Sequence, residues 1–600
     1  MQPGSRRWRT ALVALALFAF AATARILYVH SVWPHPAVRY PVLDCLAYHD
    51  WALAILDGNW QGSRVYYQDP LYPFFLAGLY AIFGPDTQGV LIAQALLGAA
   101  SVVVIAALAR TLAGDAAGLV AGVLASVYQV FFFFDALLLK GTLKVFVFSA
   151  CLLLTARAAR GGSPWRWFAC GLLLGLGCLL RPNALLFAPV LAFFAWRAPA
   201  TNTRARWLAA ALAISGVAAA VGPVALRNTW VGGDFVVLNS QGGQNFYIGN
   251  FRGNTSGIFV APPFLRADPR YEEEDFRREA ERAVGHALRP SEVSRYWMRR
   301  GLDEIAADPA HFVRHLARKV VVFFNAHEVA DNESYDFFAN HVSGFLAWPL
   351  PGWGALLPLA LCGFVLARRE REAQPLIAFF AVYAAGLLPF FVLSRLRLPL
   401  VPVVIAFAAL TLVRGADVLR RGSRPRAAAL LACLVTLLGV THLPVIHDDP
   451  VISHFNLAQA HRMRAKAERE RAATLATAGD NAAAIAAFAR VEEAQRDAEA
   501  ELRRGLAVAP RSARLLTALR NLQTTRIVEL LRIGRERDAL PIAQAFVEEF
   551  PGTADAHARL GSVLERLGQQ GEAEQAYLRA LEIDPEHTRA RRALAALLQP

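Results

Sequence analysis

Apolar residues fill membrane-length stretches along most of this chain and then cease. The first stretch lies in RRWRTALVALALFAFAATARI and continues through Ile26 to Val32. A crossing helix needs about 20 mostly apolar residues, so a first transmembrane helix is predicted here. The basic start and the small residues at 22–24 also fit a signal peptide, but the apolar run beyond them favours an anchor. Further runs predict spans over 87–111, 115–134, 137–158, 166–181, 183–197, 207–230, 345–367, 374–393, 398–416 and 426–444. Arg181-Pro182 breaks the stretch 166–197 into two short helices or one kinked helix. Two helices there bring the total to about eleven spans.

The intervening segments 33–86 and 231–344 have shorter periods. In the first, Leu46, Leu53 and Leu56 have helical spacing over 46–57, with Asp44 placed to cap the start. Residues 70–84 (PLYPFFLAGLYAIFG) predict a second apolar helix, too short to span and bounded by Pro and Gly. In the second segment, helices are predicted over 272–282, 291–307 and, amphipathic, 314–324, while 239–250 reads as hairpin-like or irregular. From about Val451 the chain turns Ala/Glu/Arg-rich. Residues 554–587 place Leu560, Gly561, Gly568, Ala573, Tyr577, Ala580 and Pro585 at tetratricopeptide spacing. Gly534, Ala539 and Pro551 stand in register one repeat earlier, and a degenerate unit around Gly479, Ala484 and Phe488 precedes them. The small residues let paired helices pack closely, and the Tyr fills the next groove. The expected architecture is an all-α polytopic membrane domain over 1–445 followed by an α-helical repeat domain over 446–600.

Composition agrees. The chain is 55% hydrophobic and 18% charged, with a mean hydropathy of +0.34. Soluble domains carry about a quarter charged residues, so a soluble globular protein is excluded. The net charge of +14 would suit nucleic acid if the Arg residues shared one soluble face. They fall instead at 6–9, 110, 157–166, 197–206, 368–371 and 414–426, each beside a membrane-length run. That is the pattern of basic residues kept in the cytoplasm. It argues against nucleic acid, sets the N-terminus in the cytoplasm, and leaves both long loops and the repeats outside. Cys151, Cys170, Cys178, Cys362 and Cys433 lie in apolar runs as small hydrophobes, Cys45 lies in the first loop, and no CxxC or metal-spaced cluster occurs.

Charges near a membrane are costly and mark function, which directs attention to the exterior ends. Asp44, Tyr48 and Ala52 follow at four-residue steps, then Pro70-Leu71-Tyr72-Pro73, an aromatic helix and Phe83-Gly84. This resembles the first exterior loop of the GT-C glycosyltransferases, and within them the bacterial family 39 relatives of protein O-mannosyltransferases and the lipid A aminoarabinose transferases. The resemblance implies Asp44 as catalytic base. An inverting transfer needs one carboxylate to take the acceptor hydroxyl's proton as the sugar–phosphate bond breaks, and a lipid phosphate leaves without a general acid. Asp69 is a second acid, where the family more often has His or another polar residue. The run Phe131 to Asp135, followed by Leu137 to Lys140, resembles the family's aromatic run before LLKE; Gly141 stands where Glu is frequent, so the acidic role either passes to Asp135 or is absent.

The same resemblance puts Lys140 and Arg181 (of Arg181-Pro182-Asn183) toward the donor phosphate. Ser394-Arg395-Leu396-Arg397-Leu398-Pro399 resembles the family's Arg-x-Arg segment facing the lipid-linked donor, and a guanidinium matches phosphate oxygens bidentately. Tyr48, Asn245 in a GGxNFYxGN stretch, and Glu328 in His327 to Asn332 (E-x-x-D-N) are implied in sugar or acceptor binding. From the residues alone, Asp44 fits a helix cap, Lys140 a snorkelling side chain, and the Arg pair an ion pair with a loop carboxylate. His327 has no second His at ligand spacing, so no zinc site is assigned. No certain cofactor follows, and a divalent metal stays open.

The expected function is therefore hexosyl or pentosyl transfer from a polyprenyl-phosphate donor to a protein, glycan or lipid outside a bacterial cytoplasmic membrane. The repeats would serve a protein acceptor or partner. Two alternatives stand beside it: an O-antigen-ligase-like oligosaccharide transferase, and a non-catalytic membrane scaffold that recruits partners through its repeats.

Overall fold

The structure, a computed structural model, describes residues 3–266, 268–446 and 450–598; the side chains of Arg6 and Arg7 lie outside the described residues. Among the described residues every regular element is helical. The chain divides into two compact units, Met1–Asp448 and Asp449–Pro600.

In the first unit α1 (Pro3–Val32) precedes two short helices, α2 (Leu43–Leu56) and α3 (Leu71–Phe83), in place of the predicted 46–57 and 70–84. Then come α4 (Thr87–Val127), α5 (Gln129–Asp135), α6 (Gly141–Ala159), α7 (Trp165–Cys178), α8 (Ala188–Arg197) and α9 (Thr203–Trp230). The loop that follows carries α10 (Gly242–Asn250), α11 (Pro269–Val284), α12 (Pro290–Ala307) and α13 (Pro309–Phe324). The unit closes with α14 (Trp353–Ala367), α15 (Gln374–Leu387), the turn Ser394–Arg397, α16 (Val401–Arg421) and α17 (Arg424–Thr441). Among the described residues six helical stretches are long and apolar enough to cross a membrane: Trp8–Val32, Thr87–Val127, Gly141–Ala159, Thr203–Trp230, Ser394–Arg421 and Arg424–Thr441. Shorter apolar helices, Trp165–Cys178, Trp353–Ala367 and Gln374–Leu387, stand in three of the other predicted spans, and 183–197 is a 3-10 turn, Pro182–Phe187, followed by α8.

Three differences from the sequence pattern have physical causes. The runs 87–111 and 115–134 join as α4 across a kink at Ala113-Gly114, where Gly114 has φ +81°. The second run then ends at Tyr128, because the Phe residues that follow turn into aromatic contacts. Phe132 meets Tyr28 and Phe345 edge-on or tilted at centroid distances of 5.7 and 4.9 Å, and Phe133 meets Phe338 at 5.1 Å. The Gly/Asn/Gln stretch forms the helix α10 rather than a hairpin. Its glycine serves close packing: a Cβ on Gly243 would lie 1.7 Å from the Ser294 carbonyl oxygen of α12.

Close approach also joins α7 and α9. A Cβ on Gly171 would sit 1.9 Å from the Ala213 oxygen, and one on Gly216 2.1 Å from the Phe168 oxygen. Small residues of this kind let backbones touch where lipid offers no hydrophobic drive to associate. The Arg-rich segments meet at one end of the helices. Arg160 pairs with Glu372 at 2.8 Å and donates to the Thr111 carbonyl. Arg414 pairs with Glu370 and reaches the Leu112 oxygen, Gly161 abuts Pro199, and Arg9 and Arg110 line a shared cavity.

The second unit contains α18 (Pro450–Thr477), α19 (Asn481–Val508), α20 (Ala513–Arg532), α21 (Glu536–Glu549), α22 (Ala554–Arg566), α23 (Gln570–Ile583) and α24 (Thr588–Leu597). Gly479, Gly534 and Gly568 recur with φ of +82°, +73° and +78° at the turns within successive helix pairs. Tyr577 is fully buried against Gly561, where a Cβ would come 2.6 Å from its ring. Its hydroxyl donates to Glu565 at 2.6 Å.

Candidate active site

Lys140 stands immediately before α6 and Arg160 immediately after it. At 1.5 Å per residue its 19 residues span about 28 Å, close to the thickness of a bilayer's hydrocarbon core. The residues singled out in the sequence gather at the Lys140 end, away from the Arg-rich segments.

Asp44 is in the first turn of α2, just after Leu43, which has φ +49° and is the one non-glycine residue with positive φ among those described. Such backbone is unfavourable for a branched side chain. The cap position belongs to Val42, and no side chain caps the helix, so the expected capping role for Asp44 gives way to another. Its Oδ2 accepts from Arg395 Nη1 at 2.5 Å, and its Oδ1 accepts weakly from Gln68 Nε2 at 3.5 Å. Arg395 Nε also lies 2.5 Å from Asp331 Oδ2. That second contact is too bent for a hydrogen bond, and Asp331 Oδ2 has no such partner, so it is a charge contact. One guanidinium thus bridges two carboxylates from separate loops.

Arg397 faces elsewhere and is fully enclosed. It donates to the carbonyls of Asn325 and His327, to Ser394 Oγ and to Glu328 Oε2, each at 2.8 Å, and lies over Trp353. It fastens the segment 323–328 to the turn Ser394–Arg397. Glu328 Oε1 is buried without a partner. Glu328, Asp331, Asn332, Glu333 and Arg395 line a small cavity walled by Phe133, Phe134 and Leu139.

The remaining candidates form two further groups. Asp69 is buried, pairs with Lys140 Nζ and accepts from Asn239 Nδ2 at 2.6 Å. Tyr48 lies between the groups, edge-on to Tyr72 at 5.2 Å with Lys140 Nζ 5.9 Å from its ring. Arg181 is half-buried, and its Nε has no partner. Asp135 is held by Arg25 Nε at 2.9 Å and Thr142 Oγ1 at 2.6 Å, both from membrane helices. Asn245 lies on α10, which packs against α12, and no side-chain hydrogen bond joins it to these groups among the described residues. Arg25 and Asp331 were missed as site-forming residues. Arg25 carried a signal, a lone charge inside an apolar run.

Among the described residues no group of three or more His, Cys, Asp and Glu is arranged to hold a metal ion. Asp44, Asp69 and Asp135 each have a basic partner already.

Burial raises the loop carboxyls. Glu333 is pushed up to about 8 by desolvation, with Asp331 adding to it. Glu272 is pushed up to about 7 by desolvation, although Tyr67 donates to it at 2.7 Å. Asp331 is raised by burial against the opposing pull of Arg395. A carboxyl raised on folding keeps its proton where the unfolded chain has lost it, so stability falls as pH rises through that window. Thermal unfolding should therefore show the wild type losing stability between about pH 5 and about pH 8, with Glu333→Gln flattening part of that slope. A Glu333→Gln profile parallel to wild type would contradict this.

Residues 68–222 match the family described as dolichyl-phosphate-mannose-protein mannosyltransferase, the kind of enzyme that the first-loop residues resemble. Residues 554–587 match the tetratricopeptide repeat, the stretch over which that spacing was read. No curated protein matches the sequence. Among solved structures, the apo Archaeoglobus fulgidus oligosaccharyltransferase is similar at 14% identity and a TM-score of 0.40, over 76% of this chain and 58% of that one. This chain thus spans less than two thirds of that protein. ArnT from Cupriavidus metallidurans, bound to undecaprenyl phosphate, is similar at 14% identity and a TM-score of 0.39, over 85% of this chain and 80% of that one. The chain is thus similar to the dolichyl-phosphate-mannose-protein mannosyltransferase family over residues 68–222 and to the tetratricopeptide repeat over residues 554–587.

Proposed function

We propose that the membrane unit moves a sugar from a polyprenyl-phosphate carrier to an acceptor hydroxyl on the exterior face of a cytoplasmic membrane. The observation that carries this reading is the bridge of Arg395 between Asp44 and Asp331, beside a cavity at the end away from the Arg-rich segments. By the positive-inside rule the Arg-rich ends are cytoplasmic, which puts the bridge outside. No nucleotide sugar is available there, so a lipid carrier is the natural donor.

In this reading Arg395 is shared. Asp44 and Asp331 hold it at rest, and the donor phosphate competes for it through charge-assisted hydrogen bonds. As the guanidinium turns to the phosphate, Asp44 is released to take the acceptor's proton. The acceptor oxygen attacks the anomeric carbon, and the sugar–phosphate bond breaks with its electron pair passing to the phosphate, inverting the centre. Lys140 and Arg181 add positive charge near the leaving group. Asp69 orients Lys140, Glu328 and Tyr48 line the approach to the sugar, and Asn245 lies toward the acceptor. Arg397 acts by positioning the segment 323–328, and Asp135 by holding α1 to α5. The first unit, with loops 33–86 and 231–344, is the transferase domain, and the repeats lie outside the membrane.

The test uses full-length protein in detergent with labelled polyprenyl-phosphate-mannose or -glucose, and reads release of polyprenyl phosphate. Release by wild type that is lost in Asp44→Ala supports the reading, and equal release by both removes Asp44 from the mechanism. Arg395→Gln should raise the donor KM by about 10-fold to 100-fold, the worth of hydrogen bonds to a charged group. An unchanged donor KM would place the phosphate elsewhere.

A further inference from the structure

The repeat unit has a groove of its own, of about 410 Å³, running over α20 between α19 and α21. Its walls are unusual for a packed stalk. Arg496, Arg503 and Arg526 line it, faced by a single lining carboxylate, Glu499. Glu499 already serves two of them: it accepts from Arg503 at 2.8 Å and pairs with Arg526. Arg503 also pairs with Glu549 outside the lining. Arg496 is exposed and makes no ion pair among the described residues. Burial lowers the Arg526 guanidinium, with Glu499 and Glu492 supporting its charge and Arg496 and Arg503 opposing it; of the three cations lining the groove, Arg496 is the one without an ion pair among the described residues.

A second observation is independent of charge. Gln523, in the same wall, has no exposed surface. Its Nε2 donates to Glu549 at 2.7 Å, while its Oε1 is buried with no partner. A buried acceptor left unpaired is unfavourable, and a donor supplied from outside would relieve it. The groove's remaining lining is apolar and small: Ala500, Pro541, Ile542 and Ala545.

We propose that this groove docks an acidic polypeptide segment. Its carboxylates would meet Arg496 and Arg503, one backbone N–H would satisfy Gln523 Oε1, and an apolar side chain between the acids would rest on Pro541, Ile542 and Ala545. The unpaired Arg496, beside an Arg503 and an Arg526 that share Glu499, favours an acidic ligand, and the orphan acceptor and apolar floor favour a peptide over a bare anion. The inference is independent of the transfer reaction, because every residue in it belongs to the repeat unit.

The test uses full-length protein in detergent and a fluorescein-labelled peptide of alternating Glu and Leu, read by fluorescence anisotropy. Wild type is expected to bind, more weakly as salt rises. Arg496→Glu should weaken binding at least about tenfold, a loss of about 1.4 kcal/mol, and Gln523→Leu should weaken it as well. Arg496 has no ion pair to lose, so its variant keeps the fold, which circular dichroism checks; Arg496→Gln, expected to lie between, is the second variant. An alternating Lys and Leu peptide should not bind. Absence of binding by wild type, equal binding by Arg496→Glu and Arg496→Gln, or displacement of the peptide by an equal concentration of inorganic phosphate would each overturn the proposal.

Discussion

Asp44→Asn is expected to lower the rate of sugar transfer by about 10²–10⁴-fold, the range by which a positioned general base accelerates proton transfer. The amide keeps the shape of the carboxylate and can still accept from Gln68, so the fold should survive. What it loses is the charge that attracts the acceptor's proton. It also loses half of the bridge at Arg395. Two effects then separate by kinetics. Loss of the base lowers kcat with saturating donor, whereas a freed Arg395 tightens on the donor phosphate and lowers the donor KM. A fall in kcat with a constant or smaller donor KM fits the shared guanidinium. A larger donor KM with an unchanged kcat would make Asp44 a binding residue and nothing more.

Arg25→Leu is expected to destabilise the membrane unit by about 3–5 kcal/mol, the cost of leaving one partner of a buried ion pair unmatched. Arg25 has no exposed surface, and it ties Asp135 to the carbonyls of Ala125 and Ser126 while lying over the Phe132 ring. Without it Asp135 keeps the Thr142 hydroxyl but no counter-charge. The double variant Arg25→Leu with Asp135→Leu should recover most of the loss, because replacing both partners by apolar groups removes the desolvation penalty. Thermal unfolding in detergent measures all three. Equal destabilisation by the single and double variants would show that the loss comes from packing around Phe132. Full transfer activity in a folded double variant would also dismiss Asp135 as a catalytic acid.

How far the fold could be read from the sequence depends on the range over which its causes act. The helices at 203–230 and 401–421 are written in long apolar runs, the helix 87–127 in two such runs that join across Ala113-Gly114, and helices 269–284, 290–307 and 309–324 in local periodicity. The repeat is written in small residues at fixed offsets. The Gly/Asn/Gln stretch misled because glycine twice over suggests a turn, whereas here Gly243 admits the backbone of α12, a partner fifty-one positions away. The site divides in the same way. Asp44, Asp69, Lys140, Arg395 and Glu328 stand in recognisable local strings. Their pairing does not: Arg395 meets Asp44 across 351 positions and Arg25 meets Asp135 across 110. Nothing in the string around Asp44 distinguishes a cap from a carboxylate awaiting an arginine. That distinction lies in the turn Ser394–Arg397 at the far end of the unit.

The glycine-mediated contact of α7 with α9 bears on how a substrate tail reaches the site. Carbonyl oxygens of one helix fill the space a methyl group would take on the other, so this seam is closed to an isoprenoid chain. The two helices touch backbone to backbone, so in the proposed reaction a lipid tail would enter along some other edge. Enlarging Gly171 or Gly216 would therefore wedge a wall apart, not widen a doorway.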